Sequence, residues 1–102
     1  MDSTLSQFMV DFTLPRELTE AFTSLIPQQR AAVNKLFGEG KLLNYALSLE
    51  NGKLWAVFSV RSESELMSLI SDLPLTPFMK VRVSELTFYH ASHPFVAAFS
   101  MN

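Results

Sequence analysis

The stretch DLPLTPFMKVRVSELTFYH, residues 72–90, decides how the rest of the chain must be arranged. Pro74 and Pro77 stand near its start, and proline lacks the backbone N–H that a helix interior requires. The residue before a proline is biased toward extended conformations, so the preceding helix must end here. Residues 80–89 are then rich in side chains that favour strands. The stretch therefore predicts a helix end, a turn and a last strand, whose partners must come from the preceding chain.

The composition predicts one domain over residues 1–102, with a core over residues 7–90 and an apolar tail over residues 91–102. Hydrophobic residues make up 48% and charged residues 18%, which excludes a disordered chain. A formal charge of −2 with eight scattered basic residues predicts no nucleic-acid partner. The chain has no cysteine, which excludes disulfides, thiol nucleophiles and thiolate metal sites. It shows neither an apolar run of membrane-spanning length nor a signal peptide, so we expect a cytoplasmic protein without a membrane partner.

The N-terminal part predicts a strand followed by a long helix. Residues 7–14 alternate between apolar and polar side chains, which is typical of a half-buried strand. Pro15 suits the first turn of a helix, and apolar residues then recur at helical spacing, with Gln29 as the gap in that stripe. Pro27 should kink the helix or break it briefly, and Gly40 follows its predicted end.

The middle of the chain predicts a β-hairpin over residues 41–50 and 53–61. Asn51-Gly52 between two apolar runs favours a two-residue type I′ turn, which needs positive φ at both positions. Such a turn sets the register and pairs Tyr45 with Phe58. One face of this hairpin is then apolar, with Leu43 on it, and should lie under the helices.

The last third predicts a second helix and a last strand. Ser62 and Glu65 have the spacing of a capping box, in which each side chain satisfies a free backbone donor. The last strand, residues 80–89, changes the parity of its apolar side chains part of the way along. A β-bulge near Ser84-Glu85 would reconcile the two halves.

The predicted order β-α-β-β-α-β is that of a ferredoxin-like α+β fold, with a four-stranded antiparallel sheet and two helices on one face. The other face, here called the open face because we expect nothing in the subunit to cover it, bears Met9, Asp11, Trp55 and Val57. Its mixture of side chains is too apolar for water, so we expect two subunits to pair these faces around a partly polar cavity. Residues 94–99, PFVAAF, are also too apolar for water and should dock on a neighbouring subunit.

The turn LPLTPFM, residues 73–79, resembles the L-P-L-x-P-[FY]-M turn of the muconolactone Δ-isomerase family, within the dimeric α/β-barrel superfamily. Weaker similarity extends the resemblance over about residues 8–90. The resemblance implies a ferredoxin-like subunit that forms a homodimer sheet to sheet and can build a larger ring. It also implies cofactor-free proton transfer on a small lactone from aromatic catabolism.

The chain departs from the family pattern at two places. Met9 and Asp11 stand where the family's first strand carries basic or imidazole side chains. Tyr45, Ala46 and Leu47 stand where a tryptophan and an arginine follow the helix exit in the isomerase. The resemblance therefore supports the fold more strongly than the activity.

Proton transfer next to a carbonyl needs a base, an acid and a donor for the enolate oxygen. Asp11 is the candidate base, because it projects onto the open face; a structural Asp at a barrel rim is the alternative. Tyr45 can donate its phenol to an oxyanion, but its parity places it on the helix-covered face, where core packing is the alternative. Glu85 would turn into the cavity if the bulge forms, and otherwise it is a solvated strand residue.

The candidate substrate-binding residues are aromatic, polar or basic side chains, namely Trp55, Asn44, Ser48, Arg30, Arg82 and His90. The two arginines can each hold a carboxylate through paired hydrogen bonds, and the tryptophan can line the pocket of a flat ligand or pack in the dimer. His90 and His93 have an H-x-x-H spacing, but two ligands without a third are weak evidence for a metal site. We predict no metal and no cofactor.

Three functional hypotheses remain open at this point. The first is an isomerase-like protein that binds a small carboxylate-bearing lactone or a related catabolic intermediate. The second is a non-catalytic ligand-binding or assembly module with the same fold. The third is a cofactor-free oxygenase of the same superfamily. Acidic and basic side chains that converge in one cavity would favour proton transfer, whereas an entirely apolar cavity would favour assembly.

Overall fold

The computed structural model describes residues 4–92 of the chain. Its four strands form one antiparallel sheet in the order β2-β3-β1-β4, which confirms the predicted ferredoxin-like α+β fold. A short 3-10 turn over Thr76–Phe78 precedes the last strand. The other elements are β1 Ser6–Thr13, α1 Glu20–Thr23, α2 Ile26–Gly38, β2 Leu42–Ser48, β3 Lys53–Val60, α3 Glu63–Asp72 and β4 Lys80–Glu85.

The first helical region is divided as Pro27 predicted. α1 ends at Thr23, and α2 begins at Ile26 with Pro27 in its first turn. Backbone N–H groups in the first turn of a helix have no acceptor within the helix, so proline is tolerated there. The predicted start at Pro15 is wrong. Thr19 caps α1 by accepting a hydrogen bond from the Phe22 N–H (3.4 Å), so the helix begins only at the next residue.

The predicted register of the hairpin is wrong by two residues. Tyr45 lies opposite Ala56 rather than Phe58, because four residues instead of two connect β2 and β3. Within this turn only Gly52 has a positive φ (62°), whereas a type I′ turn needs a second one at Asn51. The Asn51 N–H instead donates to Ser48 Oγ (3.3 Å). A shift of two residues preserves the face of each side chain, so Tyr45 still faces the helices.

A β-bulge does occur, but in β2 and not in β4. The pairing of β2 with β3 shifts between Leu42 and Asn44, which puts Leu42 in the core and leaves Leu43 38% exposed. The predicted place of Leu43 on the core face is therefore wrong. The pairing of β4 with β1 is regular throughout, and β4 ends at Glu85, so the predicted bulge there is wrong as well.

The core lies between the helices and one face of the sheet. Its most deeply buried large side chains come from every layer and include Phe12, Phe58, Leu66 and Ile70. The capping box of α3 is confirmed: Ser62 Oγ accepts from the Glu65 N–H (3.1 Å). The glutamate accepts from the N–H of the residue before the cap, Arg61, at 2.8 Å.

The open face is partly covered by the chain that follows β4, which corrects the expectation that nothing in the subunit covers it. β4 and β2 lie at opposite edges of the sheet, yet Asn44 Nδ2 in β2 donates to Tyr89 Oη at 2.9 Å. Residues 86–92, here called the crossing segment, must therefore pass over the open face. Val57 on that face is only 1% exposed. The apolar stretch 94–99 lies outside the described residues.

Candidate functional site

A cleft of about 460 Å³ opens on the helix-covered side of the sheet, between α1, α2 and the hairpin. Its volume falls in the range of small-molecule sites. We call it the helix-side cleft. Its walls are apolar side chains of the helices and strands, including Leu18, Phe22, Val33, Phe37, Leu47, Leu49 and Leu54.

The cleft contains a hydrogen-bonded chain of three residues, of which two are buried and the third, Tyr45, is half-buried. Gln29, only 4% exposed, places its Nε2 2.9 Å from Tyr45 Oη. Its Oε1 accepts from the Leu75 N–H at 3.0 Å. The glutamine thus joins α2 to the edge strand β2 and to the proline-bounded turn, and all three residues line the cleft.

Tyr45 can act as a hydrogen-bond donor in this cleft. Burial raises the pKa of its phenol, and the hydrogen bond from Gln29 partly opposes that shift. The hydroxyl therefore keeps its proton at neutral pH. A neutral phenol whose O–H has no acceptor among residues 4–92 of the protein can donate a hydrogen bond to a carbonyl oxygen or to a developing oxyanion.

Arg30 and Asn34 line the cleft from the polar side of α2. Arg30 is exposed and forms no salt bridge within residues 4–92, so its guanidinium remains available to an anion. Four exposed apolar side chains line the same cleft: Leu18 is 42% exposed, Phe37 41%, Leu47 56% and Leu49 66%. Exposed apolar surface gathered at one cavity is typical of a binding site.

A second polar cluster lies on the open face. Lys53 Nζ is 3.2 Å from Asp11 Oδ1 and 3.0 Å from Thr13 Oγ1. Asp11 sits directly opposite Trp55 of β3 and Arg82 of β4. The sheet register thus brings three predicted site residues together here, and Ser48 lies opposite Lys53 on the same face.

The three predicted catalytic residues do not converge. Tyr45 lies in the helix-side cleft with Arg30, whereas Asp11 lies on the opposite face of the sheet. Glu85 pairs with Phe8, a core residue, so its position is on the helix-covered side at the exposed end of β4. With no bulge in β4, the structure provides no turn that would carry Glu85 to the open face.

The remaining predicted residues have other surroundings. Asn44 binds the Val57 N–H through Oδ1 (3.1 Å) and Tyr89 through Nδ2, so its amide is engaged within the subunit. His90 is exposed on the crossing segment, and His93 lies outside the described residues. Within residues 4–92, no three His, Cys, Asp or Glu side chains are grouped so that they could hold a metal ion.

Gln29 is the site residue that the sequence did not single out as functional. The signal was present, because Gln29 interrupts an otherwise apolar stripe on α2. A polar side chain at a core position must find partners, and here both partners are distant in sequence. The stripe alone could not identify Tyr45 or Leu75 as those partners.

Comparisons with known proteins bear on the whole fold. The sequence model of the family described as muconolactone delta-isomerase matches residues 7–92. The muconolactone Delta-isomerase of Cupriavidus pinatubonensis (strain JMP 134 / LMG 1197) is 33% identical over 86 residues, which cover 83% of this chain and 89% of that protein. In the described chain, residues 4–92, no helix has both the length and the apolar character needed to cross a bilayer.

Two solved structures are similar to this one. A crystal structure of muconolactone isomerase superposes with a TM-score of 0.69 at 26% identity, covering 84% of this chain and 93% of that chain. Rv0793 from Mycobacterium tuberculosis superposes with a TM-score of 0.50 at 18% identity, covering 85% of this chain and 99% of that one. The second likeness concerns the fold alone.

Proposed function

The chain belongs to the muconolactone Δ-isomerase family, and on that premise we propose that it binds a small carboxylate-bearing lactone, or a related catabolic intermediate, in the helix-side cleft. The observation that carries the proposal is the hydrogen bond between buried Gln29 and half-buried Tyr45 in a mostly apolar cavity. A mostly apolar pocket with a few convergent polar groups is the usual form of a small-molecule site.

The cleft can hold each part of such a ligand. The apolar walls receive the ring and remove it from water. Arg30 binds the carboxylate through its planar guanidinium. The Tyr45 hydroxyl donates to the lactone carbonyl oxygen, where negative charge would accumulate if the neighbouring carbon lost a proton. This arrangement supplies binding and oxyanion stabilisation for an isomerase-like proton transfer without a cofactor.

A complete isomerase also needs a base, and the lining of the cleft contains no Asp, Glu or His. This observation favours a second candidate function, in which the protein binds such lactones without converting them. Asp11 remains a predicted base only for a cavity on the open face, where it is paired with Lys53. The sheet separates that position from Tyr45, so the two residues cannot act on one small ligand within a subunit.

We further propose that two subunits associate through the open face. Met9, Asp11 and Trp55 are partly exposed there, although the crossing segment covers the neighbouring Val57. A partner sheet would bury the apolar part of this surface. Association would require the crossing segment either to form part of the interface or to move away from Asn44.

The function is tested by titrating the protein with muconolactone and following both binding and conversion. Amide NMR shifts should move around α2 and β2, and Arg30→Met and Tyr45→Phe should each weaken binding about tenfold, the loss expected for one charged or buried hydrogen bond. Lys35→Met, elsewhere on α2, and Tyr89→Phe, on the open face, are the matched controls. Binding that is unchanged in both cleft variants would refute the assignment of the cleft. Binding without conversion would select the second function.

A further inference from the structure

We infer that Gln29 makes the helix-side cleft selective for ligands that present a hydrogen-bond acceptor and makes it reject ligands that offer only a donor. This inference rests on the proposed function, because it takes the cleft to be a ligand site. It goes further by assigning the polarity of that site to one positioning residue, Gln29, which acts through Tyr45.

The orientation of the Gln29 amide is determined by its surroundings. The Leu75 backbone N–H can only donate, and the glutamine oxygen lies 3.0 Å from it. Leu75 is 5% exposed and Gln29 is 4% exposed, so water cannot take the place of this acceptor. Rotating the amide by half a turn would set two donors against each other in a buried position. The amide nitrogen must therefore face the other way, toward Tyr45.

This orientation in turn determines the role of Tyr45. The Gln29 amide donates to Tyr45 Oη at 2.9 Å, so a lone pair of the phenol oxygen is occupied. Within residues 4–92 the hydroxyl proton has no protein acceptor. Because both side chains line the cleft, the proton is available to a bound molecule. The backbone of the turn thus sets, through two hydrogen bonds in series, which kind of group the cleft presents.

The consequence is a chemical preference of the cleft. A carbonyl, carboxylate or ether oxygen completes the chain from Leu75 through Gln29 and Tyr45. A ligand with only an N–H to offer would meet the Tyr45 proton, another donor, and would leave its own donor without a partner at this point of a mostly apolar cleft. Lactones, whose two oxygens are acceptors only, belong to the favoured class.

The preference can be measured with two neutral bicyclic probes of similar size. Phthalide is an aryl lactone with acceptors only, and indole offers only an N–H donor. In the wild-type chain, the dissociation constant of phthalide from NMR titration should be at least about tenfold lower than that of indole. Tyr45→Phe should abolish this ratio, whereas Tyr89→Phe should preserve it. Equal wild-type affinities for the two probes would overturn the inference while leaving the cleft as a ligand site. Binding of neither probe would also overturn the inference, whereas the titration with muconolactone decides the proposed function separately.

Gln29→Glu provides the decisive second variant. An ionised carboxylate accepts from both the Leu75 N–H and the Tyr45 O–H, so the phenol oxygen then presents lone pairs to the cleft. A protonated carboxyl can still donate to Tyr45 and so mimics the amide. The variant should therefore prefer phthalide at low pH and indole at high pH, whereas the wild-type ratio should stay constant over the same range. A phthalide preference that persists in the variant at all pH values would refute the role of Gln29. If Gln29→Glu does not fold, the loss or retention of the ratio in Tyr45→Phe decides the question.

Discussion

Replacing Gln29 by methionine removes both hydrogen bonds of this buried side chain while keeping its approximate length. The N–H of Leu75, a residue that is 5% exposed, loses its acceptor, and a buried donor without a partner costs about 1–3 kcal/mol. Tyr45 loses a bond of about 0.5–1.5 kcal/mol, but it can turn to water in the cleft. Burial of the methionine offsets roughly 1 kcal/mol of these losses. We therefore expect the free energy of unfolding to fall by about 2 kcal/mol.

The chain contains a matched control for this substitution, because Gln28 is adjacent in sequence and exposed. Gln28→Met should change the free energy of unfolding by less than about 0.5 kcal/mol. Urea unfolding followed by circular dichroism measures both variants, and a loss of 2 kcal/mol corresponds to a midpoint about 1 M lower. A Gln29→Met variant within about 0.5 kcal/mol of the wild type, or an equal loss of stability in both variants, would contradict this role of the Gln29 amide.

Four further predictions concern other parts of the molecule. The hydrogen bond from the Arg61 N–H lowers the pKa of the Glu65 carboxyl in the folded protein. This contact therefore stabilises the fold above the ordinary pKa of the carboxyl, and the stabilisation is lost as the pH falls through the folded-state pKa. Stability should consequently fall less steeply with acid in Glu65→Gln than in Glu63→Gln. If Asp11 acts as a base between paired sheets, Asp11→Asn should abolish conversion of muconolactone with little change in the melting temperature, and full activity would remove it from consideration. Sedimentation at micromolar concentration should show a dimer or a larger species, and an 11.5 kDa particle would contradict this expectation. Deletion of residues 91–102 should weaken assembly more than it weakens the fold, and unchanged assembly after the deletion would contradict that expectation.

Local signals in the sequence were enough to predict the elements and their order. Pro27 divides the first helical region because a ring without an N–H is tolerated only in a first turn. Ser62 starts α3 because its hydroxyl satisfies a backbone donor three residues ahead. Each of these effects acts within one turn of chain. The alternation of side chains in the strands likewise predicted that Tyr45 faces the helices.

The detailed geometry of the hairpin could not be predicted in the same way. Asn51-Gly52 is compatible with more than one turn, and the Ser48 side chain favours the longer one by binding the Asn51 N–H. The bulge at Leu43 places Leu42, rather than its neighbour, in the core. Both outcomes depend on packing between β2, β3 and the helices, and the sequence of β2 alone fits either arrangement.

The sequence by itself determined the order of the elements, the face on which most strand residues lie and the polar interruption at Gln29. Only the tertiary structure decided which residues meet. Gln29 binds Tyr45 and Leu75, which are 16 and 46 positions away, and Tyr89 reaches Asn44 across the whole sheet, 45 positions away. Such contacts arise when a helix packs on a sheet at a particular angle and distance, and no local propensity encodes that geometry. The same packing brings Tyr45 and Gln29 together in the helix-side cleft, whereas Asp11 lies on the opposite face of the sheet, as the alternation of strand side chains predicted.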